Sequence, residues 1–145
     1  MKAAWYETNG EARDVLVVGE VETPKPGPGE VRVKLKTSGA NPSDVKSRRG
    51  RPLIAPRIIP HSDGAGVIDL VGEGVAESRV GERVWIWNGQ WQRPFGTAAT
   101  HIALPQAQAV LDIEVGLLDD HLAHAGEVEI AESIVQRRRV KQIAR

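Results

Sequence analysis

The sharpest pattern in the chain lies at residues 31–39, VRVKLKTSG, where Val31, Val33 and Leu35 alternate with Arg32, Lys34 and Lys36. A period of two predicts a strand with one buried and one wet face. Residues 2–6 (KAAWY) predict a short opening strand, and the β-branched run VLVVGEVE (15–22) predicts a second. Between them and the alternating segment, PKPGPGE (24–30) reads as a rigid turn, because its prolines lack amide donors and its glycines permit positive φ. ANPSDVKSRRG (40–50) predicts a single helical turn ending near Gly50, capped by Ser43 or Asp44. RPLIAPRIIP (51–60) holds three prolines in ten residues and predicts an extended loop over the surface. GVIDLVG (66–72) and RVWIWN (83–88) read as buried strands, and TAATHIALP (97–105) as another.

The pattern changes after about residue 112. The stretch to residue 145 has no aromatic residue and no proline, and Leu118, Leu122 and Ala125 fall at helical spacing, as do Ile130, Ala131, Ile134 and Val135. Glu127, Glu129 and Glu132 precede Arg137, Arg138 and Arg139, an order that suits the helix macrodipole. This predicts one broken helix or two short ones, then a strand around Val140–Ile143. Two regions follow, a β-rich domain at 1–112 and a helical tail at 113–145.

Composition narrows the function classes. The chain has 145 residues and no cysteine, which excludes disulfides and thiolate metal sites. Nineteen basic and nineteen acidic residues cancel, so nothing favours nucleic acid or an anionic membrane. No apolar run approaches the ~20 residues needed to span a bilayer, and the N-terminus lacks the apolar core of a secretion signal. A cytoplasmic protein is expected. Four imidazoles are available, His61, His101, His121 and His124. His121 and His124 lie three apart, a spacing that suits a solvated helix face as well as half a metal site. Gly72-Glu73-Gly74 reads as a tight turn, because no helix start follows to make a phosphate cradle.

The ordered segments MKAAWYE (1–7), PGPGEVRVKLKTSGANPSDVKSRRG (26–50), HSDGAGVIDLVGEGVAESRVGERV (61–84) and WNGQWQRPFGTAATHIALP (87–105) resemble the catalytic domain of the medium-chain dehydrogenase/reductase superfamily, most of all its zinc-free quinone-oxidoreductase branch. The resemblance runs from residue 1 to about 111. It implies a mainly β, GroES-like, partly closed antiparallel barrel with short helices at its margin. The tail would be the family's C-terminal return segment completing the same domain, or unrelated sequence covering a barrel edge. Zinc-dependent members carry a cysteine where this chain has Asn41–Asp44 and a His-Glu pair where it has Ser62 and Asp63, so the family's zinc site is not expected. The family's NADP(H) rests mostly on a separate Rossmann domain, and no G-x-G-x-x-G between strand and helix occurs here.

The resemblance also proposes a site. Asn41 matches a position near nicotinamide and substrate, where its amide could donate to the oxygen of a quinone or enone; alternatively it closes a turn. Asp44 orients a neighbouring donor or caps the helix. Lys46 stands where relatives often have tyrosine, and Ser62 where the zinc-binding histidine would face the cleft. Trp85, with Trp87, and Trp91 could wall a pocket for a flat acceptor or belong to a core or interface. Two functions remain. One is an NADPH-dependent quinone-reductase-like domain that is silent or partner-dependent as an isolated chain. The other is a non-catalytic GroES-like binding module, self-associating as a homodimer through an uncovered sheet edge.

Overall fold

The alternation at 31–39 becomes the centre of the molecule. In the structure, a computed structural model that describes residues 1–112, strand β3 (Glu30–Gly39) buries Val31, Val33 and Leu35 and turns Lys34 and Lys36 to solvent. Burying each such side chain contributes about 1.5–3 kcal/mol, so β3 anchors the core. It pairs antiparallel with β4 (Asp63–Val71) and β6 (His101–Pro105). Beyond β4 lie β5 (Arg83–Ile86) and the short β7 (Ala109–Leu111), giving the open order β6-β3-β4-β5-β7. A separate pair joins β1 (Lys2–Trp5) to β2 (Val17–Glu20). The architecture is mainly β, in two sheets with few short helices, as expected of a GroES-like fold.

Two cores result. Val31, Val33, Leu35, Ile68, Val84, Ile86, Ile102 and Leu104 fill the first. Ala3, Ala4, Ile59, Ala98 and Ala99 form the second, beneath the two-stranded sheet. On the opposite face of β3, Arg32 donates from Nε and Nη2 to both carboxylate oxygens of Asp69, at 2.9 and 3.0 Å, with His101 Nε2 at 3.6 Å from Asp69 Oδ2. The β3–β4 register slips between Leu35 and Thr37, and Gly66 sits at the slip. A β-carbon at Gly66 would lie 2.2 Å from the carbonyl oxygen of Lys34, so only glycine fits there.

Several expectations need correction. The 15–22 strand is split: Ala12–Val15 forms one helical turn, α1, and only Val17–Glu20 pairs. The predicted single turn after β3 is a nine-residue helix, α2 (Pro42–Gly50), and Asn41, not Ser43 or Asp44, is its N-cap. Pro42 supplies the first-turn residue with no amide to satisfy. The proline-rich 51–60 segment is irregular, as expected, yet it ends in the core. Ile58 bridges to Tyr6 and Ile59 to Phe95, and both isoleucines are buried. Proline forbids a ladder; it does not forbid burial. The strand expected at 97–105 begins only at His101, and β7 was not foreseen. Gly72-Glu73-Gly74 does form a turn, with Gly74 at φ +79°. The helices and strand predicted for the tail, and the His121–His124 pair, lie outside the described residues.

Helix α2 is held at its far end by the chain after β1. Asn9 Nδ2 donates to the carbonyls of Ser47, Arg48 and Arg51 at 3.0–3.3 Å, and the Gly10 amide donates to Arg48 O at 3.1 Å. The buried Arg48 guanidinium returns a hydrogen bond to Gly10 O.

Candidate functional site

The ends of β3 and β4 bring together two segments well apart in sequence, with Asn41 and Asp63 separated by 22 residues. Gly39 faces Asp63 and Ser38 faces Gly64 in register. Asn41, just past β3, therefore reaches the start of β4, and its Nδ2 donates to Asp63 Oδ2 at 2.6 Å. The Asn41 backbone N–H donates to Asp44 Oδ2, also at 2.6 Å, tying the first turn of α2 back on itself. Asn41 is thus gripped by two carboxylates. Its amide nitrogen has two hydrogens, and Asp63 takes one of them.

A second polar group lies on the core face beside them. Ser38 Oγ is 2.8 Å from His61 Nδ1 and 3.0 Å from Thr97 Oγ1, and Thr97 Oγ1 donates to the Asp63 carbonyl at 2.6 Å. Thr97 is fully buried. Gly64 leaves room for it, since a β-carbon there would meet Thr97 at 3.2 Å. His61 holds a left-handed backbone, φ +76°, a conformation costing a non-glycine residue about 1–2 kcal/mol. The Thr97 amide on His61 O (2.9 Å) and the Gly89 amide on Ser62 O (2.7 Å) pin it there. Burial holds the His61 imidazole below its ordinary value, against the pull of the Asp44 and Asp63 carboxylates, which favour the charged ring. Buried Tyr6 is pushed up by desolvation, opposed by Arg48 and reinforced by Asp44. Asp44 therefore stands electrostatically between Tyr6 and His61.

The expected site residues divide. Asn41 and Asp44 meet, and Ser62 is half-buried next to them between His61 and Asp63. Lys46 is exposed, two residues beyond Asp44 on α2 and so on the other side of that helix. Trp85 is 48% exposed and Trp91 63% exposed, so neither belongs to the core. Thr37, Ala65, Trp85 and Val110 lie directly opposite one another across four strands and share the outer face. Asp63, two residues before Ala65, falls on that face too, which makes Trp85 a diagonal neighbour of the residue that holds Asn41. A separate groove of about 370 Å³ is lined by Met1, Val21, Pro24, Arg57, Ile59 and Phe95 and contains none of the expected residues. Sequence reasoning missed Ser38, Thr97 and the role of His61. The signal available was a serine, a histidine and a threonine at the ends of paired strands; nothing linked them without the register.

The implied cofactors can be tested against these side chains. Ser62 and Asp63 offer no imidazole or thiolate at the family's zinc-ligand positions, and among the described residues no three His, Cys, Asp or Glu side chains converge on one point. At the Gly72–Gly74 turn the Gly72 amide is spent on Glu30 O and the Val75 amide on Gly72 O, so neither is left to donate to a pyrophosphate. Among the described residues, no helix is long and apolar enough to cross a membrane.

Residues 27–114 match the model of the alcohol dehydrogenase GroES-like domain. The starvation-sensing protein RspB of Escherichia coli K12 is 50% identical over 76 residues, covering 51% of this chain but only 22% of that protein. A quinone oxidoreductase from Pseudomonas syringae pv. tomato superposes with a TM-score of 0.69 at 32% identity, over 79% of this chain and 34% of that one. An rspB alcohol dehydrogenase from E. coli CFT073, complexed with NADH, superposes with a TM-score of 0.66 at 29% identity, over 79% and 39%. This chain therefore spans about a fifth of that curated relative and a third or more of those solved structures. With its β3-centred sheet and the Asn41–Asp63 junction in place, the chain belongs to the alcohol dehydrogenase GroES-like domain family of the medium-chain dehydrogenase/reductase superfamily.

Proposed function

We propose that residues 1–112 form the acceptor-holding half of a zinc-independent, NADPH-dependent reductase whose substrate is a quinone or an enone. The observation that carries this reading is the Asn41–Asp63 hydrogen bond. A carboxylate can only accept, so Asp63 fixes which end of the Asn41 amide faces it and leaves a second N–H to donate. A preset N–H donor stabilises the charge that builds on a carbonyl oxygen during reduction, a task zinc would otherwise take. Trp85, on the same face as Asp63, supplies an exposed ring against which a flat acceptor can lie. When bound, the nicotinamide supplies the hydride; Asn41 holds the oxygen and Asp44 holds Asn41. Ser62 borders this group, whereas Lys46, on the other side of α2, lies outside it. The nucleotide itself would be gripped by polypeptide other than residues 1–112.

The test is ligand binding to the 145-residue chain, followed by the Asn41 side-chain amide in a nitrogen–proton correlation spectrum. Tetramethylbenzoquinone should shift that resonance and raise the melting temperature, and Asn41→Ala should abolish both effects. A saturating titration that moves neither overturns the reading.

A second reading rests on Trp85, Trp87 and Trp91, all more than 40% exposed. Aromatic surface of this kind suits association of two copies through the β5 side of the sheet. A dimer by light scattering that Trp85→Ser converts to monomer would support it; a monomer at high concentration would remove it.

A further inference from the structure

The hydroxyl pair beside His61 determines which imidazole nitrogen carries the proton. A hydroxyl has one hydrogen to give. Thr97 gives its hydrogen to the Asp63 carbonyl, which cannot donate in return. Thr97 Oγ1 can then only accept from Ser38, and Ser38, having given its hydrogen to Thr97, can only accept from His61. The chain runs one way, from His61 Nδ1–H through Ser38 and Thr97 to the carbonyl. Neutral His61 therefore has Nε2 bare; the one side-chain hydrogen bond of His61 among the described residues is at Nδ1, and Nε2 is not among the buried unpartnered atoms, so it is open to solvent or ligand.

Three further features link His61 to the Asn41 group. His61 directly precedes Ser62 and Asp63, the second of which holds Asn41. The two carboxylates that act on its ring, Asp44 and Asp63, are the two that grip Asn41. Its left-handed backbone is held by two amides from the 89–97 segment, and backbone outliers so over-determined concentrate at ligand sites.

We propose that His61 is a specificity residue of the acceptor site, presenting Nε2 as a fixed hydrogen-bond acceptor that selects ligands bearing a hydroxyl alongside their carbonyl, the class of hydroxy-enones and hydroxyaryl ketones. This rests on the reading that Asn41 receives the carbonyl oxygen. Asn41 then donates to one end of the ligand and His61 accepts from the other, so a ligand with the two groups reversed, or with the hydroxyl methylated, loses one bond. Protonating His61 turns Nε2 into a donor without disturbing Nδ1–H, so the preference for a hydroxyl fades in acid while the Ser38–Thr97 chain stays intact.

The test uses the 145-residue chain with labelled histidine. At neutral pH the His61 side-chain nitrogens should show the Nδ1–H form, and Ser38→Ala should shift the population toward Nε2–H. A wild-type ring in the Nε2–H form overturns the proposal outright. 4-Hydroxyacetophenone, 4-methoxyacetophenone and acetophenone are then titrated. The hydroxyl ligand should bind about tenfold more tightly than its methyl ether and displace the Nε2 resonance, and His61→Asn should erase that ratio. If all three ketones bind equally and shift Asn41 alone, the His61 inference fails and the Asn41 reading stands. If none shifts Asn41, the acceptor site falls and takes the selectivity with it.

Discussion

Replacing Thr97 with valine isolates the hydroxyl chain from everything else the side chain does. Valine matches threonine in shape, so the fully buried site keeps its packing and no cavity opens. What disappears is one hydrogen bond given to Asp63 O at 2.6 Å and one accepted from Ser38 at 3.0 Å. A buried polar group left without a partner costs about 1–3 kcal/mol, whereas Ser38 is only half-buried and can turn to water. Asp63 is itself exposed and its bond to Thr97 only part-buried, so the expected loss is about 1 kcal/mol, still a measurable share of the roughly 5–15 kcal/mol that holds a domain together. Urea titration should show a lower midpoint with an unchanged slope. Ser38→Ala alone should cost about 1 kcal/mol. Because both substitutions sever the same chain, the double variant should be less destabilised than the sum by roughly 0.5–1 kcal/mol. Strict additivity, or a Thr97→Val variant indistinguishable from the parent, would refute a closed chain and with it the proton placement on His61.

Other outcomes follow from the same geometry. Asn41→Ala removes the cap of α2 and should cost about 1 kcal/mol in thermal or chemical denaturation. Asn41→Asp sets a third carboxylate against Asp44 and Asp63, so at neutral pH it should be less stable than the alanine variant and recover as pH falls through the carboxyl range. The His61 imidazole titrates below its ordinary 6.5 in the folded chain, so the unfolded chain binds the extra proton first. Its contribution is thus complete above pH 6.5 and is lost as pH falls through the lower folded value, and His61→Asn, which tolerates the left-handed backbone, should flatten that limb of a stability–pH curve. Burial holds the His101 imidazole low against the pull of Asp69, and the Arg32 cation adds to that; Arg32→Ala breaks the paired bonds to Asp69 and removes the cation, so the His101 midpoint, read by proton resonance, should rise.

The frame of the domain was legible because β3 obeys a simple rule. Val31, Val33 and Leu35 alternate with cations, and no other conformation buries the first set while wetting the second. The start of α2 was legible in kind but misplaced in detail, since Ser43, Asp44 and Asn41 are all competent caps and Pro42 decides among them only through its missing amide. Ile58 and Ile59 were misjudged because three nearby prolines argued about hydrogen bonding, whereas burial was set by Tyr6 and Phe95, distant in sequence. Asn41 and Asp44 were named through family resemblance, and the structure shows the hydrogen bond between them. Their partner Asp63, and the Ser38–His61–Thr97 chain, needed the strand register, which fixes contacts across 22 to 59 residues. Trp85 could be named but not oriented, because a two-residue period does not say which face points outward, and Trp91 lies in a turn where no period applies.

A nine-residue helix is too short to persist unaided in water, where about 12–15 residues are needed. α2 survives as a strut clamped at both ends, by Asp44 on Asn41 at one and by the Asn9 amide across three carbonyls at the other. The two clamps sit on the order of 13 Å apart along its axis. On the acceptor-site reading proposed above, the aim of Asn41 is therefore set partly from Asn9, at the opposite end of α2: loosening Asn9 should let the strut pivot and Asn41 drift before the sheet beneath it responds.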